Sequence, residues 1–270
     1  MANDAPVQKT SARHAAPPAD IILRASHVSK RYGGLQAVDA MLIDVPRGGL
    51  VGLIGPNGAG KSTFFDLITG HQRADQATIW FDGRRIDGKA MHRVARAGLV
   101  RTFQIVRPLA RMTVLENLML APARQPGEHL AGSLMWWRTR RQDAIIRERA
   151  MATLDFFDLA PLADEYAGAL SGGQKKLLEL ARAIMLEPKM LMLDEPMAGV
   201  NPTLAAKLMD RIQTLRRERG VTFLLVEHDM DTVFNHCERV VVMAQGRPLA
   251  AGTPEEVRND PIVQDAYLGG

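Results

Sequence analysis

The stretch LVGLIGPNGAGKSTFFDLITG, starting at Leu50, restricts the fold of this chain more than any other. It reads as strand, glycine loop and helix. The run LVGLI is short, apolar and continuous, as expected of a strand buried on both faces. Behind it lies G-x-x-x-x-G-K-S, from Gly55 to Ser62. Between a strand and a helix, that spacing has a specific use. Gly55, Gly58 and Gly60 let the backbone curl so that successive N–H groups point at phosphate oxygens. Lys61 supplies a point charge to the β- and γ-phosphates, and Ser62 offers a hydroxyl to Mg²⁺. The following helix adds the positive end of its dipole.

MLMLD and VTFLLV are apolar runs of the same kind, and helical patterns separate them. The implied core is α/β, a parallel sheet flanked by helices. Antiparallel elements surround it. Residues 21–50 alternate in short apolar segments around MLIDV, TIWFDGRRI carries an Asp-Gly hairpin turn, and VVVMAQGRPLAAG reads as a second hairpin. From about 110 to 187 strand signals are few, and Ile146, Ala150, Leu154 and Phe157 fit one helix face. This stretch is expected to be an α-helical subdomain inserted into the sheet domain. Trp136 and Trp137 precede that face among arginines and are expected to be packing or interface residues.

Composition excludes several classes. No apolar run approaches the roughly 18 residues that span a bilayer. The opening MANDAPVQKTSARHAAPPAD lacks the apolar core of a secretory signal and reads as a loose leader over residues 1–20. Cys237 is the only cysteine, so there is no intrachain disulfide, and it reads as a small buried apolar residue. The net charge of +4 is uneven: residues 88–115 contain no acid but include Lys89, Arg93, Arg96, Arg101, Arg107 and Arg111. The default reading of such a run is a solvated helix face.

A phosphate loop needs an acid to hold metal. Asp194 ends MLMLD, at the carboxyl edge of a buried strand, where open α/β sheets bind ligands. Glu195 follows directly. The two carboxylates divide the work if Asp194 holds Mg²⁺ while Glu195 orients and deprotonates a water. His228 follows the next buried run at the same edge, within reach of a γ-phosphate. Two glycines in LSGGQKKLLELARAIM, from Leu170, head a strongly periodic helix. Ser171 and Gln174 have capping-box spacing, which leaves Gly172 and Gly173 unexplained. Close approach of an anion to the helix N-terminus would explain them.

In combination these motifs resemble the nucleotide-binding subunit of an ABC transporter, over about residues 21–270. GPNGAGKST matches the Walker A of that family, LMLDEP its Walker B and LSGGQ its signature motif. The resemblance implies a P-loop NTPase core with a mixed, largely parallel sheet, an antiparallel β subdomain and the helical insertion. It places Tyr32, Val38, Gly55, Pro56, Asn57, Gly58, Ala59, Gly60, Lys61, Ser62 and Thr63 around ATP, with Tyr32 stacked on adenine, and Mg²⁺ on Ser62, Asp194 and Gln104. His228 falls at the switch histidine and Gln104, in RTFQIVRP, at the Q-loop glutamine; with Glu195 they form the expected catalytic set. Two subunits of this family pair head to tail. Ser171, Gly172, Gly173 and Gln174 would therefore meet the ATP of a second ATPase subunit.

The chain departs from the family where TSALD is common: it reads MAGVN, with Asn201 in place of the acid. That ending, the helical insert and the final PIVQDAYLGG are similar to the subgroup serving branched-chain amino acid importers. The implied partners are transmembrane permease subunits and, indirectly, an extracytoplasmic binding protein, with no direct nucleic acid. The implied location is peripheral, on the cytoplasmic face of the inner membrane. Urea or amide import and lipid export stay open as other substrates of such a cassette. A soluble ABC ATPase acting on nucleic acid usually carries two cassettes or a long coiled-coil insertion, and a small-molecule kinase has no signature motif.

Overall fold

The computed structural model describes residues 16–102, 108–122 and 136–268. Its backbone of parallel strands is made by the three apolar runs. β3 (Leu50–Ile54), β7 (Met190–Asp194) and β8 (Thr222–Val226) are buried at every residue. With β6 (Leu99–Arg101), β9 (Arg239–Ala244) and β10 (Arg247–Gly252) they form a six-stranded sheet ordered β10-β9-β3-β8-β7-β6. All neighbours are parallel except the terminal hairpin β9-β10. Alternation along each strand explains the uniform burial. Leu191, Leu193, Phe223 and Leu225 enter one core, shared with the helices. Met190, Met192, Leu224 and Val226 enter the other.

That second core is closed by a four-stranded antiparallel sheet, in the order β2-β1-β4-β5. It comprises β1 (Ile21–Tyr32), β2 (Leu35–Pro46), β4 (Gln76–Phe81) and β5 (Arg84–Arg85). The Asp-Gly hairpin is formed, with Phe81 opposite Arg84 and positive φ at Asp82 and Gly83. The helix Lys61–Thr69 lies in the same core through Phe64, Phe65, Leu67 and Ile68.

Between β6 and β7 the described residues form only helices. Ile146, Ala150, Leu154 and Phe157 are all buried, on the expected face of the helix Trp136–Phe156. They pack with Val114, Leu118, Leu178 and Ala181 in the core that also holds the sheet residues Leu50 and Phe223. The side chains of Trp136 and Trp137 lie outside the described residues. Cys237 is buried, as expected, and burial pushes its thiol up to about 12.

Strand order determines what meets at the carboxyl edge. Leu53 of β3 lies beside Val226 of β8, and Asp194 of β7 lies beside the same Val226. The loops that follow Ile54, Asp194 and Val226 therefore leave the sheet side by side. Arg101, beside Met192, ends β6 at the same edge.

Candidate functional site

The glycine loop is shaped by its neighbours. Gly55 has φ 154°, and a Cβ there would overlap the carbonyl oxygen of Met243. Gly60 has φ 98°, and a Cβ there would overlap the carbonyl of Ala37. Only glycine fits either place. Gly60 is also the N-cap of the helix Lys61–Thr69 and provides no side-chain cap. The first-turn N–H groups therefore face the loop uncapped, the arrangement that attracts an anion. Asn57, Gly58 and Ser62 are exposed on the loop and its helix, Pro56 and Thr63 half-buried. Ala59 differs: its side chain is buried in the core, and its carbonyl accepts from Gly246 N–H at 3.0 Å.

Lys61 is folded into the loop. Its Nζ donates to the carbonyls of Gly55 at 2.6 Å and Pro56 at 3.0 Å. Burial lowers its pKa, and the nearby carboxylates of Glu195 and Asp194 work against that shift. A buried ammonium held by two neutral carbonyls is poised for a stronger, anionic partner.

Asp194 is 3% exposed. Its Oδ2 accepts from Arg101 Nη2 at 2.7 Å, while its Oδ1 is buried without a hydrogen-bond partner among the described residues. Such an oxygen, together with the Ser62 hydroxyl, suits a hard cation such as Mg²⁺. That ion is bound by one or two carboxylates plus substrate phosphates rather than by a full protein cage. Glu195 has φ 49°, unusual for a residue with a side chain, and its N–H donates to Val226 O at 2.9 Å. Strain of this kind gathers where a side chain must be aimed. His228 has a 58% exposed side chain, with Nδ1 3.9 Å from Glu227 Oε2.

Three charged residues of this region were not legible as site residues in the sequence. Arg101 belongs to a run read there as solvated, yet its side chain is only 10% exposed and bridges Asp194 to Asp66. That reading is corrected at Arg101: the end of β6 aims it inward. Glu227 is fully buried and accepts from Met197 N–H at 2.8 Å; burial raises its pKa. Lys176, on the signature helix, donates to the carbonyls of Glu195, Pro196 and Ala198. Lys176 and Glu227 thus hold the loop after Asp194 from two sides.

The signature helix spans Gly172–Met185, with Ser171 as N-cap. The capping box is present: Ser171 N–H donates to Gln174 Oε1 at 2.9 Å, and Gln174 N–H to Ser171 Oγ at 3.3 Å. The two glycines separate. A Cβ on Gly173 would overlap Leu204 Cδ2, whereas a Cβ on Gly172 would meet nothing within 4 Å. Gly173 therefore has a packing reason within the chain, and Gly172 has none among the described residues. Among the described residues no hydrogen bond or ion pair joins 171–174 to 55–63, so the tip is not part of its own chain's phosphate loop. Asn201 caps the helix Pro202–Arg219, its side chain accepting from Leu204 N–H at 2.9 Å.

Tyr32 is 42% exposed at the end of β1, with Lys30 Nζ 5.5 Å from its ring centroid. Val38, on β2, is fully buried in the antiparallel core. Gln104 lies outside the described residues.

A phosphate loop, adjacent acids and a histidine on one sheet edge have the arrangement of a P-loop nucleotide hydrolase, and a separate glycine-headed helix lies apart from that loop. Known proteins agree. A family profile described as "ABC transporter" matches residues 38–198, and one described as "Branched-chain amino acid ATP-binding cassette transporter" matches 247–270. The chain belongs to the ATP-binding cassettes of ABC transporters. It is 44% identical over 249 residues to the high-affinity branched-chain amino acid transport ATP-binding protein BraF of Pseudomonas aeruginosa, covering 92% of this chain and 98% of that one. It is 43% identical over 248 residues to the probable branched-chain amino acid transport ATP-binding protein LivG of Archaeoglobus fulgidus, covering 92% and 95%. The crystal structure of the ADP conformation of MJ1267, an ATP-binding cassette of an ABC transporter, superposes with a TM-score of 0.78 at 37% identity, covering 93% of this chain and 99% of that one. As a cassette of this family the chain is a transport ATPase.

Proposed function

We propose that this chain hydrolyses ATP to power a membrane importer of branched-chain or similar hydrophobic amino acids. The observation that carries the reading is the convergence of Lys61, Asp194, Glu195 and His228 on one edge of the parallel sheet. The names of the relatives and the match at residues 247–270 support the substrate class. No described helix is long and apolar enough to cross a membrane. The relatives' names as transport ATP-binding proteins support separate permease subunits as this chain's partners. The cassette would dock on them at the cytoplasmic face of the inner membrane. The helical stretch about 110–187, with Gln104 at its approach, is the proposed coupling subdomain.

Each residue has a chemical role in this reading. Lys61 leaves the Gly55 and Pro56 carbonyls for the terminal phosphates, and the uncapped turn after Gly60 takes the remaining phosphate oxygens. Tyr32 offers its exposed ring to adenine. Ser62 and Asp194 would hold Mg²⁺, with Gln104; the ion neutralises charge developing on the phosphates. Glu195 accepts a proton from water, whose oxygen bonds to the γ-phosphorus as the bond to the bridging oxygen breaks, giving ADP and phosphate. His228 donates to a γ-phosphate oxygen. Ser171 and Gly172 of a second ATPase subunit close over the same phosphate.

The test is Glu195→Gln. The variant is expected to bind ATP, to form dimers in its presence and to lose hydrolysis by roughly 10²–10⁴-fold, the usual worth of a positioned base. Wild-type turnover would remove Glu195 from its role. In reconstituted vesicles with the permease subunits, uptake of labelled leucine should fail in parallel.

A further inference from the structure

A chain of side-chain hydrogen bonds runs from Tyr32 to Asp194. Tyr32 Oη donates to Gln72 Oε1, and Gln72 Nε2 to Asp66 Oδ2 at 2.8 Å. Arg101 Nη1 donates to Asp66 Oδ1, and Nη2 to Asp194 Oδ2 at 2.7 Å. Its guanidinium also lies over the Phe65 ring, 5.6 Å from the centroid. Arg101 thus stands between two acids, one on the phosphate-loop helix and one at the end of β7. Both partners are shielded, with side chains 18% exposed at Asp66 and 3% at Asp194.

A carboxylate as buried as Asp194 needs a counter-charge. Lys61 does not bond it; its ammonium is committed to the loop carbonyls. Among the described residues Arg101 is the cation bonded to it, through Oδ2, and Oδ1 has no hydrogen-bond partner. We propose that Arg101 is the internal counter-cation of Asp194 in the nucleotide-free cassette, and that a divalent cation arriving with nucleotide competes with it for that carboxylate. Arg101 is then a positioning residue: it holds the acid ionised, buried and aimed while no metal is present. Asp66 gives the guanidinium a second anchor when Asp194 turns to the metal. The inference rests on the proposed role of Asp194 as the metal acid.

The experiment measures metal affinity rather than turnover. Mn²⁺ binding is followed at pH 8 in saturating ADP, by the electron paramagnetic resonance signal of free Mn²⁺. Three full-length proteins are compared: wild type, Asp194→Asn, and Arg101→Met combined with Asp66→Asn, which removes the cation without stranding both acids. The double variant is expected to bind Mn²⁺ more tightly, on the order of tenfold, the worth of one charged hydrogen bond removed from the competition. Unchanged or weaker Mn²⁺ binding in a folded double variant would overturn the proposal. Asp194→Asn separates the two failures: if it keeps wild-type Mn²⁺ affinity, Asp194 is not the metal acid and the underlying reading fails. Should the double variant not fold, Arg101→Lys replaces a two-pronged fork with one point charge and should move the affinity in the same direction by less. No movement there would also overturn it.

Discussion

Alanine at Gly172 should stabilise the chain more than alanine at Gly173, although the two glycines are adjacent on one helix. At Gly172 an added methyl meets nothing within 4 Å. The change only removes the conformational freedom of glycine from the unfolded chain and should stabilise by about 0.5–1 kcal/mol. At Gly173 the methyl overlaps Leu204 Cδ2 and lies 3.3 Å from Cγ. Leu204 is only partly buried against the helical core, and the overlap is with the end of its side chain, which can turn aside. That adjustment offsets part of the glycine gain of up to ~1 kcal/mol. Urea denaturation should therefore rank Gly172→Ala above Gly173→Ala. Adding Leu204→Ala should remove that difference, as expected of coupling between contacting sites. Function should run the other way for Gly172. In a Glu195→Gln background, ATP-driven dimerisation measured by light scattering should weaken in Gly172→Ala, because the methyl stands where a partner's phosphate would approach. A stabilised Gly172→Ala that dimerises and hydrolyses ATP like wild type would refute the assignment of the open glycine to a ligand.

Three further outcomes test other parts of the site. Lys61→Ala should lose equilibrium ATP affinity while keeping its fold, since among the described residues the ammonium donates only to loop carbonyls; unchanged affinity by calorimetry would contradict the loop assignment. Asn201→Ala removes the cap of an 18-residue helix and should cost about 1 kcal/mol in denaturant, whereas Asn201→Asp should hold stability because the carboxylate caps equally well and suits the helix dipole. Glu227→Gln keeps an acceptor for Met197 N–H but no longer titrates. Wild-type Glu227 is raised from the ordinary 4.5, so between that value and its raised one the native chain retains a proton that the unfolded chain has released. Stability is then lost as pH rises through that window. The melting temperature of Glu227→Gln relative to wild type should climb over the same interval; a flat difference from pH 4 to 8 would show that Glu227 keeps its ordinary value.

What the sequence revealed and what it concealed divide along a physical line. The buried strands, the phosphate loop, the two hairpins and the capping box are local: each is encoded in fewer than twenty consecutive residues through period, turn chemistry or cap spacing. Asp194, Glu195 and His228 could be placed because an apolar run of strand length tells which residue comes next at its carboxyl end. Arg101, Lys176 and Glu227 could not. Arg101 lies in an acid-free run that looks solvated, and its acids are 35 and 93 residues away in the chain. Lys176 stands one turn into a helix among ordinary surface residues, yet it reaches carbonyls 19–22 residues on. Asn201 shows a substitution with a local answer, since the side chain that replaces an acid still does an acid's capping work. The two glycines fall on both sides of the line. Gly173 packs against a leucine 31 residues later, a contact no local pattern encodes. Gly172 meets no such neighbour among the described residues, so its assignment to a ligand rests on the motif it belongs to.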